Sequence, residues 1–394
     1  MKKYILLTIL ILLIAIIPFT IYLYSKYDIS LNGIKNIDIN VGSDYIDEGI
    51  TIKRFGKFVK NYETINKVDT SKIGTYEVIY KIKNLEEKRI VNVVDKEKPN
   101  IKLKRKYYLR NNKDDIKNII EVNDNYDKEL NIKVIGNYNL NKNGKYKIKY
   151  LVSDSSNNES ELETEINVQE KDTDGIPVLM YHWFYDDTKG ETAGERNTHN
   201  YIAKSEFEKQ MKYLKDENYY FPTWQELIDY IDKKIDLPKK SVILTDDDCL
   251  QSFFDVALPV FQKYEVPFTS FCITKRSNWG KYVGEPYLDF ESHTNALHNR
   301  ICKGSWDGAV MCKDYDTIYN DIKLSLEKVK NSYSFAYPFG HYNDKTIKAL
   351  KENGIELAFT INNGKVKKGA NKYKLPRVRI SKGTSLNTFK KLVK

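Results

Sequence analysis

The chain has 394 residues, of which 41% are hydrophobic and 30% charged, and a formal net charge of +10. That length accommodates two or three domains with their own cores, which excludes a wholly disordered chain. The surplus lysine is scattered and no recognition motif accompanies it, which excludes nucleic acid as the partner and leaves anionic polymers as what the charge favours.

After Lys2 and Lys3, Tyr4 to Tyr24 run 21 positions without a charge. As a helix this stretch would be roughly 30 Å long, the thickness of a hydrocarbon core. No small-x-small cleavage site follows Pro18. Residues 1–27 therefore read as an uncleaved membrane anchor, with the lysine pair inside and the rest of the chain extracellular. Secretion after signal cleavage is the alternative.

Next come short runs of period-two alternation separated by Asn, Asp, Gly and Lys turns, the pattern of half-buried strands. GTYEVIYKI at 74–82 and GKYKIKYLV at 144–152 are alike and lie 70 positions apart. The repetition predicts two similar β modules, 28–95 and 98–169. GSDYIDEGI followed by VDTSKIGTYEVIYKI resembles the bacterial immunoglobulin-like modules of Gram-positive surface proteins. The second copy keeps mainly NGKYKIKYLVSDSSNNES. A spacer is the plain reading of both, and glycan binding the sharper one.

QEKDTDG (169–175) reads as a linker. Beyond it, strand-like PVLMY, VILT, FTSFCIT, SFAYPFG and ELAFTI alternate with helical SEFEKQMKYLKDENY, Ser252–Tyr264, DTIYNDIKLSLEKVK and DKTIKALKENG. Such βα alternation predicts a parallel sheet or barrel with its chemistry at the C-terminal strand ends. Asp246, Asp247 and Asp248 stand at one such end. Adjacent carboxylates repel, so they cap a helix in a polar loop or they serve a cation. Two of the five histidines, His293 and His298, lie in ESHTNALHN. On a regular helix they would diverge by about 140°, so they converge only in a loop. With an aspartate they make an N2O set suited to catalytic Zn²⁺. The four cysteines (Cys249, Cys272, Cys302, Cys312) form no C-x-x-C pair, which argues against a structural zinc site. Cys302 and Cys312 can close a short disulfide loop, or all four can be free thiols.

Four segments, GIPVLMYH (175–182), SVILTDDDCLQSF (241–253), LDFESHTNALHN (288–299) and FAYPFGHYN (335–343), resemble the polysaccharide deacetylases of carbohydrate esterase family 4. Within that family the nearest likeness is to the poly-N-acetylglucosamine deacetylases of bacterial biofilms. The likeness covers residues 175–394 and implies a distorted (β/α) barrel. Position by position, it implies Asp247 as general base and Asp248, His293 and His298 as ligands of a divalent ion, zinc first. It implies the Phe339 amide as oxyanion donor, with Tyr337 and Pro338 at the substrate, and His182 as general acid. His341 and His199 are weaker candidates for the acid.

Two residues depart from the family's T-F-D-D-G: Asp246 replaces an apolar residue and Cys249 a glycine. A third carboxylate is expected to raise the base's pKa, and Cys249 to be strained if its φ is positive. The resulting expectation is a membrane-anchored extracellular enzyme with two immunoglobulin-like sandwiches ahead of a barrel. It would remove N-acetyl groups from an N-acetylglucosamine polymer. Peptidoglycan is the rival substrate, and a non-catalytic glycan-binding surface protein the rival class.

Overall fold

The computed structural model describes Ile14, Ile16–Pro18 and residues 27–394 other than 111–113, 194–199, 277 and 332. The expected anchor, Tyr4–Tyr24, lies almost wholly outside the described residues, as does His199. Among the described residues no helix is long and apolar enough to cross a membrane. The chain divides into two compact units. Residues 1–103, 120–135 and 149–162 form one, and residues 104–119, 136–148 and 163–394 the other.

In the first unit a four-stranded sheet runs Asn36–Asn40, Leu85–Val94, Gly74–Ile82 and Glu63–Asn66. A three-stranded sheet is made by Asp28–Leu31, Ile50–Arg54 and Lys57–Phe58. The alternation in GTYEVIYKI sends Val78, Tyr80 and Ile82 inward, where they pack on Ile50, Ile52 and Val91. Two sheets sharing one apolar layer make this a sandwich. Further along, Asn131–Ile135 pairs antiparallel with the end of Gly144–Ser153, and Ile120–Asn123 with Asn100–Leu103.

The second unit is built around seven parallel strands that close into a barrel. They are β1 (Val178–Tyr181), β2 (Ile243–Asp247), β3 (Phe268–Cys272), β4 (Leu288–Ser292), β5 (Ser334–Ala336), β6 (Leu357–Asn363) and β7 (Leu375–Arg379). The strands are covered on both faces, and β1, β2 and β3 are buried throughout, their polar residues included. Helices α1 (Lys204–Asp216), α2 (Trp224–Ile231), α3 (Leu258–Lys263), α4 (Tyr315–Val329), α5 (Asp344–Glu352) and α6 (Leu386–Leu392) follow in chain order. Thr223 and Glu226 cap α2 reciprocally, and Asp314 and Asn343 cap α4 and α5.

The helix expected over Ser252–Tyr264 is present but not uniform. Phe253–Ala257 is a π turn, and the α-helix starts at Leu258. Pro259 accounts for this, since its ring crowds the carbonyl four residues back and its nitrogen has no hydrogen to donate. Alternation alone does not disclose β4, β7 and α2, which are short and mostly buried, or α6, a short helix that buries only Phe389.

The barrel core also takes residues from well upstream in the sequence. Tyr107 and Leu109 join a buried cluster with Ile176, Trp224, Phe271 and Phe359. The Tyr107 hydroxyl donates to the Asp236 carbonyl at 2.8 Å, and its ring meets Tyr220 edge-on at 4.9 Å. Asn167–Gln169 pairs in parallel with Tyr107–Leu109.

Candidate active site

Thr245 and Asp247 share one face of β2, and Leu244 and Asp246 the other. The inward face meets β7, where Arg377 is fully buried. Its guanidinium donates to both Asp247 oxygens at 2.7 Å each, while its Nε donates to the Thr360 carbonyl at 3.1 Å. Burial pushes the Asp247 carboxyl up, but the Arg377 charge and this two-pronged bond outweigh it and hold the acid far below the usual range. Asp247 is therefore an anion throughout the working pH range.

Asp246 is the correction. Its side chain lies on the other face, fully buried, and accepts from the Ser270 hydroxyl at 2.8 Å. Burial raises its pKa well above the usual value, the Ser270 bond opposes this, and the charges of Asp247 and Asp248 add to it. Burial thus favours the neutral form of this extra acid, while the base beside it is held low by Arg377.

Beyond Asp247 the chain turns sharply, with Asp248 at φ 80° and Cys249 at φ 50°. The positive φ that suits glycine at the second position is present, so the expected strain is real. Cys249 is there because it bonds Cys272 at the end of β3. That bond ties together the two strand ends that frame the turn, and a second disulfide closes the loop between Cys302 and Cys312. Among the described residues no cysteine is free, so no thiol is left to compete for a metal.

The turn aims Asp248 at the two histidines that follow β4. His298 Nε2 lies 3.3 Å and His293 Nε2 3.9 Å from Asp248 Oδ1, an oxygen that accepts no hydrogen bond and is shielded from solvent. His293 Nδ1 is 2.7 Å from the Ala336 carbonyl, a bond that requires the proton on Nδ1 and leaves Nε2 as a lone pair. Burial lowers its pKa to about 4, against the pull of Asp247, so the ring is neutral and ready to ligate. A positive φ of 74° at Thr294 bends the chain after His293, and the two imidazoles converge with ring centres 4.7 Å apart. The three donor atoms lie within 4.8 Å of one another. An orphaned carboxylate oxygen beside two imidazoles fits a divalent cation.

His182, just past β1, places Nε2 3.8 Å from Asp247 Oδ2. Desolvation lowers its pKa to about 4, Asp247 pulling the other way, so it is neutral at rest. Its Nδ1 is buried without a hydrogen-bond partner. Phe339, at φ 59°, forms the turn after β5, its ring 4.4 Å from His298 and under the Arg300 guanidinium at 4.3 Å. Tyr337 and Pro338 are buried, and the Tyr337 hydroxyl donates to the Tyr373 carbonyl at 3.0 Å. The Tyr337 ring packs against Phe335 and Tyr342. His341 is occupied elsewhere, accepting from the Gly308 amide at 3.0 Å.

Sequence reading missed Arg377, although an arginine inside the apolar strand LPRVR signals a buried anionic partner. It also missed the Cys249–Cys272 bond, for which no local signal exists.

A parallel barrel carrying an aspartate pair and two histidines at its C-terminal rim defines a polysaccharide deacetylase, and the comparisons agree. Residues 234–358 match the polysaccharide deacetylase family, and residues 29–92 match the Ig-like domain of bacterial surface proteins. The poly-beta-1,6-N-acetyl-D-glucosamine N-deacetylase of Staphylococcus epidermidis is 34% identical over 221 residues, covering 51% of this chain and 74% of that protein. The Staphylococcus aureus (strain MSSA476) protein of the same name is 31% identical over 199 residues, 46% of this chain and 68% of its own. The solved structure of IcaB from Ammonifex degensii is similar over 56% of this chain and 97% of that one, at 24% identity and TM-score 0.47. This chain belongs to the polysaccharide deacetylase family and is a polysaccharide N-deacetylase carrying an N-terminal Ig-like domain.

Proposed function

We propose that the protein removes acetyl groups from N-acetylglucosamine units of an extracellular polymer of the poly-N-acetylglucosamine kind. A divalent ion, zinc first, would be held by Asp248, His293 and His298. The observation that carries the reading is how two neighbouring carboxylates are separated. Asp247 is held by Arg377 as an anion at rest, free to take a proton, while Asp248 presents an unpartnered oxygen to two imidazoles. The substrate is taken from the two staphylococcal relatives, whose names specify β-1,6-linked N-acetylglucosamine.

A cation held there would supply Lewis acidity toward water and the acetamide carbonyl. Asp247 takes the proton from the attacking water. The Phe339 amide faces the oxygen on which negative charge develops. His182 delivers a proton to the departing amine nitrogen. Because it is neutral at rest, that proton must first reach it, and Asp247, 3.8 Å away, is the group that has just taken one.

In this reading residues 1–27 hold the enzyme at the membrane, and the modules 28–95 and 98–169 lead to the catalytic region, 175–394, the second also packing Tyr107 and Leu109 into its core. Freed amines give the polymer positive charge and hence adhesion to anionic surfaces. The deciding experiment is acetate release from defined β-1,6 and β-1,4 N-acetylglucosamine oligomers, with metal analysis of the same preparation. The reading predicts faster turnover of the β-1,6 series and about one divalent ion per chain. Turnover of β-1,4 oligomers alone would transfer the substrate to peptidoglycan. Membrane association of the full chain, lost on removing residues 1–27, checks the anchor.

A further inference from the structure

A second group of metal-ligating side chains lies far from the catalytic residues in sequence. Asp95, Asp124, Asp127 and Asp154 each place one carboxylate oxygen within 4.8 Å of the others. Asp95 directly follows the strand Leu85–Val94, Asp124 and Asp127 lie between Ile120–Asn123 and Asn131–Ile135, and Asp154 follows Gly144–Ser153. Asp95 is only 6% exposed and Asp154 7%.

Backbone and amide donors fix the outer oxygens. The Glu97 amide and the Asn125 side chain donate to Asp95 Oδ1, the Tyr126 and Asp127 amides to Asp124 Oδ2, and Ser155 to Asp127 Oδ2. Asn158 donates to both Asp154 oxygens. That leaves Asp95 Oδ2 and Asp124 Oδ1 shielded from solvent with no hydrogen-bond partner. Among the described residues no lysine or arginine pairs with any of the four. Among the described residues these carboxylates thus have neutral donors but no cation to offset their mutual repulsion, although two of them are buried.

We propose that these residues form a calcium site. The donors are all oxygens, which excludes zinc as the preferred ion. Ca²⁺ takes six to eight oxygen ligands in flexible geometry, whereas Mg²⁺ is usually held by only one or two carboxylates, so four carboxylates converging on one point suit the larger ion. Four carboxylates supply part of its coordination, with water and carbonyl oxygens completing it. The ion ties Asp95, at the exit of the Ig-like domain, to loops of the stretch that follows. It stiffens the Lys96–Pro99 connection, where Lys96, Glu97 and Lys98 are otherwise exposed.

The test uses the full chain with Ca²⁺ and Tb³⁺ as probes. Ca²⁺ should raise the melting temperature of the N-terminal part, slow tryptic cleavage after Lys96 and displace sensitised Tb³⁺ luminescence. Asp124→Asn and Asp154→Asn should each weaken Ca²⁺ affinity at least tenfold and leave acetate release unchanged. In chelator both should melt no lower than wild type, because each removes a repelling charge. The His293→Ala chain should keep the whole calcium response. The proposal is overturned if wild type shows no calcium response, if the Asp124→Asn/Asp154→Asn double variant retains it, or if His293→Ala abolishes it.

Discussion

Asp246, Asp247 and Asp248 are chemically identical, and their surroundings give them three different states. Asp247→Asn keeps shape but cannot take a proton, so acetate release should fall on the order of 10²–10⁴-fold while the metal stays bound. The same change strips Arg377 of its counter-charge, and removing one partner of a buried pair costs about 3–5 kcal/mol, so a fall in melting temperature should accompany it. Asp248→Asn should lose the metal itself, as read by metal analysis. Asp246→Asn puts a neutral amide where burial already disfavours charge and should leave turnover within a few-fold of wild type. If Asp246→Asn proves inactive and Asp247→Asn active, the roles are misassigned by one residue.

The same surroundings set a pH dependence. His182 and His293 have folded pKa values near 4, below the ordinary 6.5. The unfolded chain therefore binds protons first as pH falls. Their contribution to stability is complete above about pH 6.5 and disappears as pH drops toward 4. The melting temperature of metal-free protein should decline across that window, and less steeply in His293→Asn. A flat profile from pH 7 to 4 would contradict the burial of these rings as neutral species.

At the scale of elements, the turn after β2 depends on its bond to β3. Cys249 and Cys272 are 23 residues apart, and closing a loop of that size stabilises by about 3 kcal/mol in the chain-entropy view. Cys249→Ser/Cys272→Ser should lower stability by about that much. It should also weaken metal binding, because Asp248 holds its left-handed conformation next to the lost tether. Cys302→Ser/Cys312→Ser should leave metal affinity nearly unchanged. Equal metal affinity in both double variants, measured by competition with a chelator, would mean that the first bond only stabilises the fold.

For the whole molecule, the catalytic unit begins earlier than the linker at 169–175 implies. Tyr107 and Leu109 are buried against barrel residues, and Val168 and Gln169 pair with the same segment. A chain starting at residue 171 exposes that surface and should melt well below the full chain and aggregate on heating. A chain starting at residue 98 should keep most turnover on short oligomers. Equal stability of the two truncated chains, by thermal melting, would show that the upstream segment adds nothing to the barrel.

The amino-acid sequence by itself determined the strand and helix alternation, the sandwich pattern of residues 28–95, the aspartate pair and the two histidines. Each is recorded locally, in a period of two, a period near 3.6 or a short motif. Tertiary structure alone decided that Asp246 is buried away from Asp247 and pushed toward its neutral form, because that depends on what packs against each face of β2. It alone joined Arg377 to Asp247 across 130 positions and Cys249 to Cys272 between neighbouring strands. It also gathered Asp95, Asp124, Asp127 and Asp154 into one cluster. Charge state, pairing and ligation depend on distance in space, and a chain that folds back on itself does not write that distance in its order of residues.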